Sequence, residues 1–179
     1  MRQVVFLFVI WIVTAGVLPL SAQQPASAVE VKVDDLKATP YGISITLRAS
    51  RSDELLHMLI GVSEGEAIAR ALSHLSPPRP MTHDLITTIL GRTGWRVQKV
   101  LIRGISDSTF LADLVLEKNG ETEVFDARPS DAMAIAVRSD AKIFVNPEVF
   151  EIERRQERQE RDQKPKEETT PPAGGGVHL

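Results

Sequence analysis

Between Val124 and Val137 the chain reads Val-Phe-Asp-Ala-Arg-Pro-Ser-Asp-Ala-Met-Ala-Ile-Ala-Val, so Asp126, Arg128, Ser130 and Asp131 fall within six positions beside an apolar run. A second polar stretch, Arg79-Pro80-Met81-Thr82-His83-Asp84-Leu85, adds an imidazole, a third carboxylate and another guanidinium. These side chains suit phosphodiester hydrolysis, in which water must be made nucleophilic and the phosphoryl charge offset, commonly by divalent ions held on carboxylates. Asp84, Asp126 and Asp131 are the carboxylates expected to act there and to hold a divalent metal, Mg or Mn. His83 can pass a proton near neutral pH. Arg79 and Arg128 can grip non-bridging oxygens through two parallel bonds, as a lysine cannot, with Ser130 as a further substrate contact. Ser130 is a poor nucleophile candidate, because Arg-Pro-Ser-Asp-Ala supplies no flanking glycine. The competing expectation is a structural network in which Arg128 pairs with Asp84 or Asp131 and pins two helix starts together.

Positioning these groups falls to two strand-to-helix or loop-to-helix corners. A strand ending near Asp126 runs into a proline-bearing turn and a helix over about 130–139 with Ser130 as its cap. Asp131 then sits in the first turn, where the helix dipole favours an anion, and Asp126 is expected close to it. Upstream, Thr82 is expected to cap a helix over 82–92, with His83 and Asp84 in its first turn; a cation is disfavoured at that end, so His83 is expected neutral. Ser63-Glu64-Gly65-Glu66 has the spacing of a capping box and predicts a helix from Glu64 to about Leu75, with the Glu66 carboxylate reaching back to the cap amide in preference to holding a metal.

The rest of the chain alternates apolar and polar residues. Val29, Val31 and Val33, then Ile43, Ile45 and Leu47, predict two half-buried strands joined at Pro40-Tyr41-Gly42. Leu55 to Ile60, Val97 to Ile105, Phe110 to Leu116 and Lys142 to Val145 are further strands, and Asn119-Gly120 marks a hairpin turn. Single helices interleave with hairpins, which implies an α+β fold: a mixed, largely antiparallel sheet of roughly six or seven strands with about three helices packed on it.

Arg2 and the apolar run from Val4 to Leu18 resemble a secretory signal, shorter than the span of about 20 residues a membrane helix needs. Cleavage after Ala22 or after Ala28 and retention as an anchor all remain open. The expected organisation is a signal or anchor with linker over 1–28, one domain over 29–150, and a charged helix and disordered tail over 151–179. The product is expected outside the cytoplasm, in the periplasm, envelope or medium, with no membrane insertion beyond the amino-terminal segment. With no cysteine, neither disulfides nor a lipidated cysteine contribute. The 21 Lys and Arg against 24 Asp and Glu give a net charge of −3, which weighs against tight non-specific grip on nucleic acid but leaves a nuclease open.

The Asp-Ala-Arg-Pro-Ser-Asp-Ala run together with Arg-Pro-Met-Thr-His-Asp-Leu resembles the bifunctional nuclease family over roughly Val31 to Val145. His57-Met58 departs from the proline-containing strand expected there. The resemblance implies an exported nuclease acting on RNA and DNA, with divalent-metal dependence and homodimerisation as further expectations. The alternative from a different class is a non-catalytic envelope module that uses the same corner for an anion or a protein partner.

Overall fold

The computed structural model describes residues 27–163. Strands β1 (Val29–Thr39), β2 (Gly42–Ala49) and β3 (Leu55–Ile60) form an antiparallel meander, followed by helices α1 (Val62–Leu72) and α2 (Thr82–Thr93). A second meander, β4 (Arg96–Ser106), β5 (Thr109–Lys118) and β6 (Glu121–Ala127), leads into α3 (Pro129–Arg138), β7 (Lys142–Val145) and α4 (Pro147–Gln163). The short β7 welds the meanders into one sheet, antiparallel to β1 and parallel to β4, in the order β3-β2-β1-β7-β4-β5-β6. The fold is α+β with a mixed, largely antiparallel sheet; four helices accompany it rather than about three. Residues 1–26 of the signal or anchor expected over 1–28, and the tail over 164–179, lie outside the described residues, in which no helix is long and apolar enough to cross a membrane.

Two-residue alternation gives the sheet one continuous apolar face, because register keeps like with like. Ile45 lies opposite Met58 and Leu47 opposite Leu56, Val31 opposite both Ala49 and Ile143, and Val100 opposite both Ile143 and Leu114. Helix α3 lies against this face at β4, β5 and β7, and is itself flanked by α1 and α2. Such a position buries a helix nearly all round, and Ala132 to Ala136 are buried without a break. The alternating alanines let the neighbours come close, while Met133 and Ile135 supply the bulk; burying side chains of that size contributes about 1.5–3 kcal/mol each.

The sheet is bent. Helix α4 touches both β3 and β4, although β2, β1 and β7 stand between them. It begins at Pro147 rather than near residue 151, and its first turns belong to the core: Val149 is 0 % and Phe150 2 % exposed. At the far edge β6 is exposed from Glu121 to Asp126, and its three carboxylates discourage edge-to-edge pairing.

All three predicted caps are displaced. Gly61, Met81 and Arg128 are the extended residues preceding α1, α2 and α3, and none supplies a side-chain cap bond of the expected hydroxyl type. Ser63, Thr82 and Ser130 lie inside the helices instead. Glu66 is exposed, away from a cap role.

Helix α1 approaches β2 through Gly65. A β-carbon there would stand 2.5 Å from Ile43 Cγ1 and 2.7 Å from its Cβ. Ile43 is branched at that carbon and cannot swing clear. Gly65→Ala is therefore expected to destabilise the protein by about 1–3 kcal/mol, although alanine is the better helix former by about 1 kcal/mol. Urea unfolding of the two proteins, read as a change in midpoint, checks this.

Candidate active site

Proline at the first position of α3 has no N–H to waste, and Asp131 in the first turn and Arg138 in the last complement the helix dipole. Both also face α2. The Asp131 and Arg138 backbones are seven residues apart, two turns or roughly 10 Å along the helix, so they share a face. Against that face α2 lays its first turn: His83 Nε2 lies 3.2 Å from Asp131 Oδ1, and Arg138 Nε donates to Asp84 Oδ1 at 2.5 Å. Arg138 folds back along its own helix to make this bond, donating through Nη1 to the Ala134 carbonyl at 2.8 Å.

The amino end of this seam carries a longer chain of bonds. Arg128 donates through Nε to Asp131 Oδ2 at 2.6 Å and through Nη2 to Glu64 Oε1 of α1 at 3.0 Å. One guanidinium thus ties the starts of α1 and α3, and Asp131 passes the connection to α2 through His83. Burial pushes the Asp131 carboxyl up, but the bonds from Arg128 and His83 outweigh it and hold the group below the usual carboxylate range. Asp131 and then Glu64 raise Arg128 further above its ordinary value. At Asp84 the Arg138 bond, with the Met81 backbone N–H donating to Oδ2 at 2.8 Å, holds the carboxyl low.

A carboxylate only accepts, so the neutral His83 ring carries its proton on Nε2 and keeps the Nδ1 lone pair. That is the arrangement of a general base whose orientation a carboxylate fixes. His83 is 7 % exposed, and its ring makes no other hydrogen bond among the described residues.

Asp126 is not part of this group. In β6 its neighbours Phe125 and Ala127 lie opposite Leu114 and Ala112 on the α3 side, so alternation turns Asp126 to the other face, opposite Asp113. There Arg103 Nη2 donates to Asp126 at 2.8 Å, and Arg103 Nε lies 3.2 Å from Asp113. The expected corner of Asp126 and Asp131 is therefore split across the sheet. Arg79 stands exposed between α1 and α2, without an ion pair or hydrogen bond among the described residues. The divalent set of Asp84, Asp126 and Asp131 does not assemble either. Asp84 and Asp131 are each matched to a guanidinium, and no three His, Asp or Glu side chains among the described residues converge as a metal requires.

Glu64, Arg138 and Arg103 complete these networks without having stood out in the sequence. The capping-box spacing pointed to Glu66 rather than Glu64, and the two arginines meet acids 54 and 23 residues away.

Two hollows flank the seam. One of about 320 Å³ is lined by Met58 to Gly61, by Ser108 to Phe110 of the β4–β5 turn, and by Arg128, Pro129 and Ser130. The other, of about 470 Å³, includes Arg70, His74, Asp84, Arg138 and Asp140. Helices α1 and α3 both end at the second, and their carbonyl ends disfavour a phosphate; both begin at the first.

The model of the bifunctional nuclease domain matches residues 45–158, a span that holds β3 through β7, all of α1 to α3 and the whole seam. The chain belongs to the bifunctional nuclease domain family. It is similar to an uncharacterized protein of Mycobacterium tuberculosis strain H37Rv, 39% identical over 106 residues, covering 59% of this chain and 63% of that relative. It also resembles Bifunctional nuclease 1 of Oryza sativa subsp. japonica, 29% identical over 112 residues, 61% of this chain and 34% of the rice protein. Bifunctional nuclease 2 of Arabidopsis thaliana is 28% identical over 95 residues, 51% of this chain and 29% of the plant protein. The chain thus spans less than two thirds of the length of these relatives, and what the bifunctional nuclease domain contributes is the part shared.

Proposed function

We propose that this bifunctional nuclease domain hydrolyses phosphodiester bonds of RNA and DNA, and that the α2–α3 seam does the chemistry. The observation that carries the reading is the chain His83–Asp131–Arg128, which joins an oriented base to a guanidinium at the rim of a hollow, within the family domain. Arg128 spends Nε and Nη2 on carboxylates, is 67% exposed along its side chain, and keeps Nη1 for a phosphate oxygen. His83 Nδ1 takes a proton from water as the new O–P bond forms, and Asp131 offsets the charge that appears on the ring. The same proton returns to the leaving oxygen as the old P–O bond breaks. Nothing in this sequence of steps uses a 2′-hydroxyl, which suits both RNA and DNA. No step is routed through a divalent ion, because the expected ligands lie apart.

Arg2 and the apolar run from Val4 to Leu18, which resemble a secretory signal, make action outside the cytoplasm part of the proposal. A competing reading, a non-catalytic module using this corner for an anion or a protein partner, draws on one feature: with His83 neutral, Arg128 faces two carboxylates, Glu64 and Asp131.

Cleavage of single-stranded RNA and DNA by purified wild type, with Mg²⁺, with Mn²⁺ and with chelator, decides between them. The nuclease reading expects turnover of both substrates that persists with chelator, and Asp126→Ala to cleave within about twofold of wild type, since its ion pair is on the far face. Absence of turnover under every condition leaves the binding module. Turnover that requires a divalent ion and disappears in Asp126→Ala overturns the assignment of the chemistry to this seam.

A further inference from the structure

We infer that the hollow at the start of α3 is a seat for one unpaired nucleotide, with its phosphate held by Ser130, Arg128 and two helix starts. The inference rests on the proposed nuclease reading and names the substrate unit that the site accepts.

Ser130 is the deciding side chain. It is 7 % exposed, lines the hollow, and its hydroxyl makes no hydrogen bond among the described residues. Its oxygen keeps contact with the hollow, so the hydroxyl is free to bond a ligand there. Its surroundings favour an anion. Helices α1 and α3 are 11 and 10 residues long, both begin at this hollow, and neither has a side-chain cap bond on its first amides. Free N–H groups at a helix start together with the positive dipole end form an anion-binding geometry. Arg128 Nη1 and the hydroxyl of Ser108 add donors from the rim.

The other half of the hollow is apolar. Met58, Leu59 and Ile60 of β3 and Phe110 of β5 line it, and Leu59 is 60% exposed. A ligand that fills both halves carries a phosphate and a flat or apolar body, which describes a nucleotide. At about 320 Å³ the space is at the small end of ligand sites, roughly 300–1,000 Å³, and admits one such unit rather than a duplex.

Glu64 already occupies part of the anion's ground. Its Oε1 takes the Arg128 bond, and its Oε2 lies where a β-carbon on Gly61 would be, at the start of α1. It therefore competes with a phosphate for both positive elements, and its neutral replacement should help the ligand rather than harm it. A residue with only a structural role would not show that sign.

Calorimetric titration of the whole purified chain with a nucleoside monophosphate, the matching nucleoside and inorganic phosphate tests this. The monophosphate is expected to bind about tenfold or more tightly than either fragment. Ser130→Ala is expected to weaken it about tenfold, Arg128→Gln by at least as much, and Glu64→Gln to tighten it about threefold or more. No binding of any probe, or monophosphate affinity unchanged in Ser130→Ala and Arg128→Gln while Glu64→Gln weakens it, overturns the inference. The outcome separates cleanly from the nuclease reading. A chain that binds the monophosphate as described and cleaves nothing keeps the seat and loses the hydrolase. A chain that cleaves polymers but binds no mononucleotide does the reverse.

Discussion

His83→Gln is expected to lower the rate of cleavage of both RNA and DNA by about 10²–10⁴-fold, the range that a positioned base contributes. Glutamine keeps a group that can donate to Asp131 Oδ1, so the helix contact survives while the basic nitrogen is lost. The loss should appear in kcat, with mononucleotide affinity in the Arg128 hollow within about twofold of wild type, since His83 does not line that space. Equal loss of kcat and of binding would mean instead that His83 only props the start of α3. Circular dichroism and the melting temperature of the variant separate either outcome from misfolding.

The largest effect on stability is expected from Asp84→Ala, at about 3 kcal/mol. Arg138 is 9% exposed along its side chain, and without Asp84 its guanidinium keeps only the Ala134 carbonyl. A buried charge whose partner is removed costs roughly 3–5 kcal/mol; the 28% exposure of Asp84 lets water reach the site and puts the expectation at the low end. The Met81 N–H at the start of α2 also loses its acceptor. Removing both partners, as Asp84→Ala with Arg138→Met, is expected to recover much of the loss, because no buried charge is then left behind. Asp84 is held below its ordinary value of 3.8 by the Arg138 bond first and the Met81 bond second, so its stabilisation is present above that value and lost as pH falls through the lower folded one. The difference in unfolding free energy between wild type and Asp84→Asn should therefore be level near neutral pH and shrink in acid below 3.8. A difference that grows in acid would show that another group sets the acid limit.

The strands were legible because a half-buried strand cannot hide its two-residue period, and Asn119-Gly120 takes the positive φ values, 53° and 86°, that its hairpin needs. Helix interiors were legible for the same kind of reason. The helix starts were misread. Ser63, Thr82 and Ser130 lie one or two positions inside their helices, where a hydroxyl looks in sequence just as a cap does; backbone geometry, extended at Gly61, Met81 and Arg128, sets the true boundary. Asp126 was misplaced although its own strand held the answer, for Phe125 and Ala127 on the core side oblige it to turn away. Of the candidate site, the contacts within α3 and between motifs were half visible: the Arg128 and Asp131 pair is local, and the proximity of His83 and Asp84 to α3 was expected without its details. Arg103 could not be found this way, since its acids lie on two other strands, 10 and 23 positions on. Glu64 was passed over because the capping-box spacing pointed to Glu66, and nothing local shows that Glu64 meets Arg128, 64 residues on.

The rate of cleavage of single-stranded RNA and DNA by Asp131→Asn, measured beside wild type at one pH with the melting temperature of each recorded, tests the seam most directly. Asparagine keeps the shape but removes the charge that orients the His83 ring and steadies its protonated form, and the rate on both substrates should fall about 100-fold or more in a protein that still folds. A folded Asp131→Asn protein that cleaves both as fast as wild type would place the chemistry elsewhere.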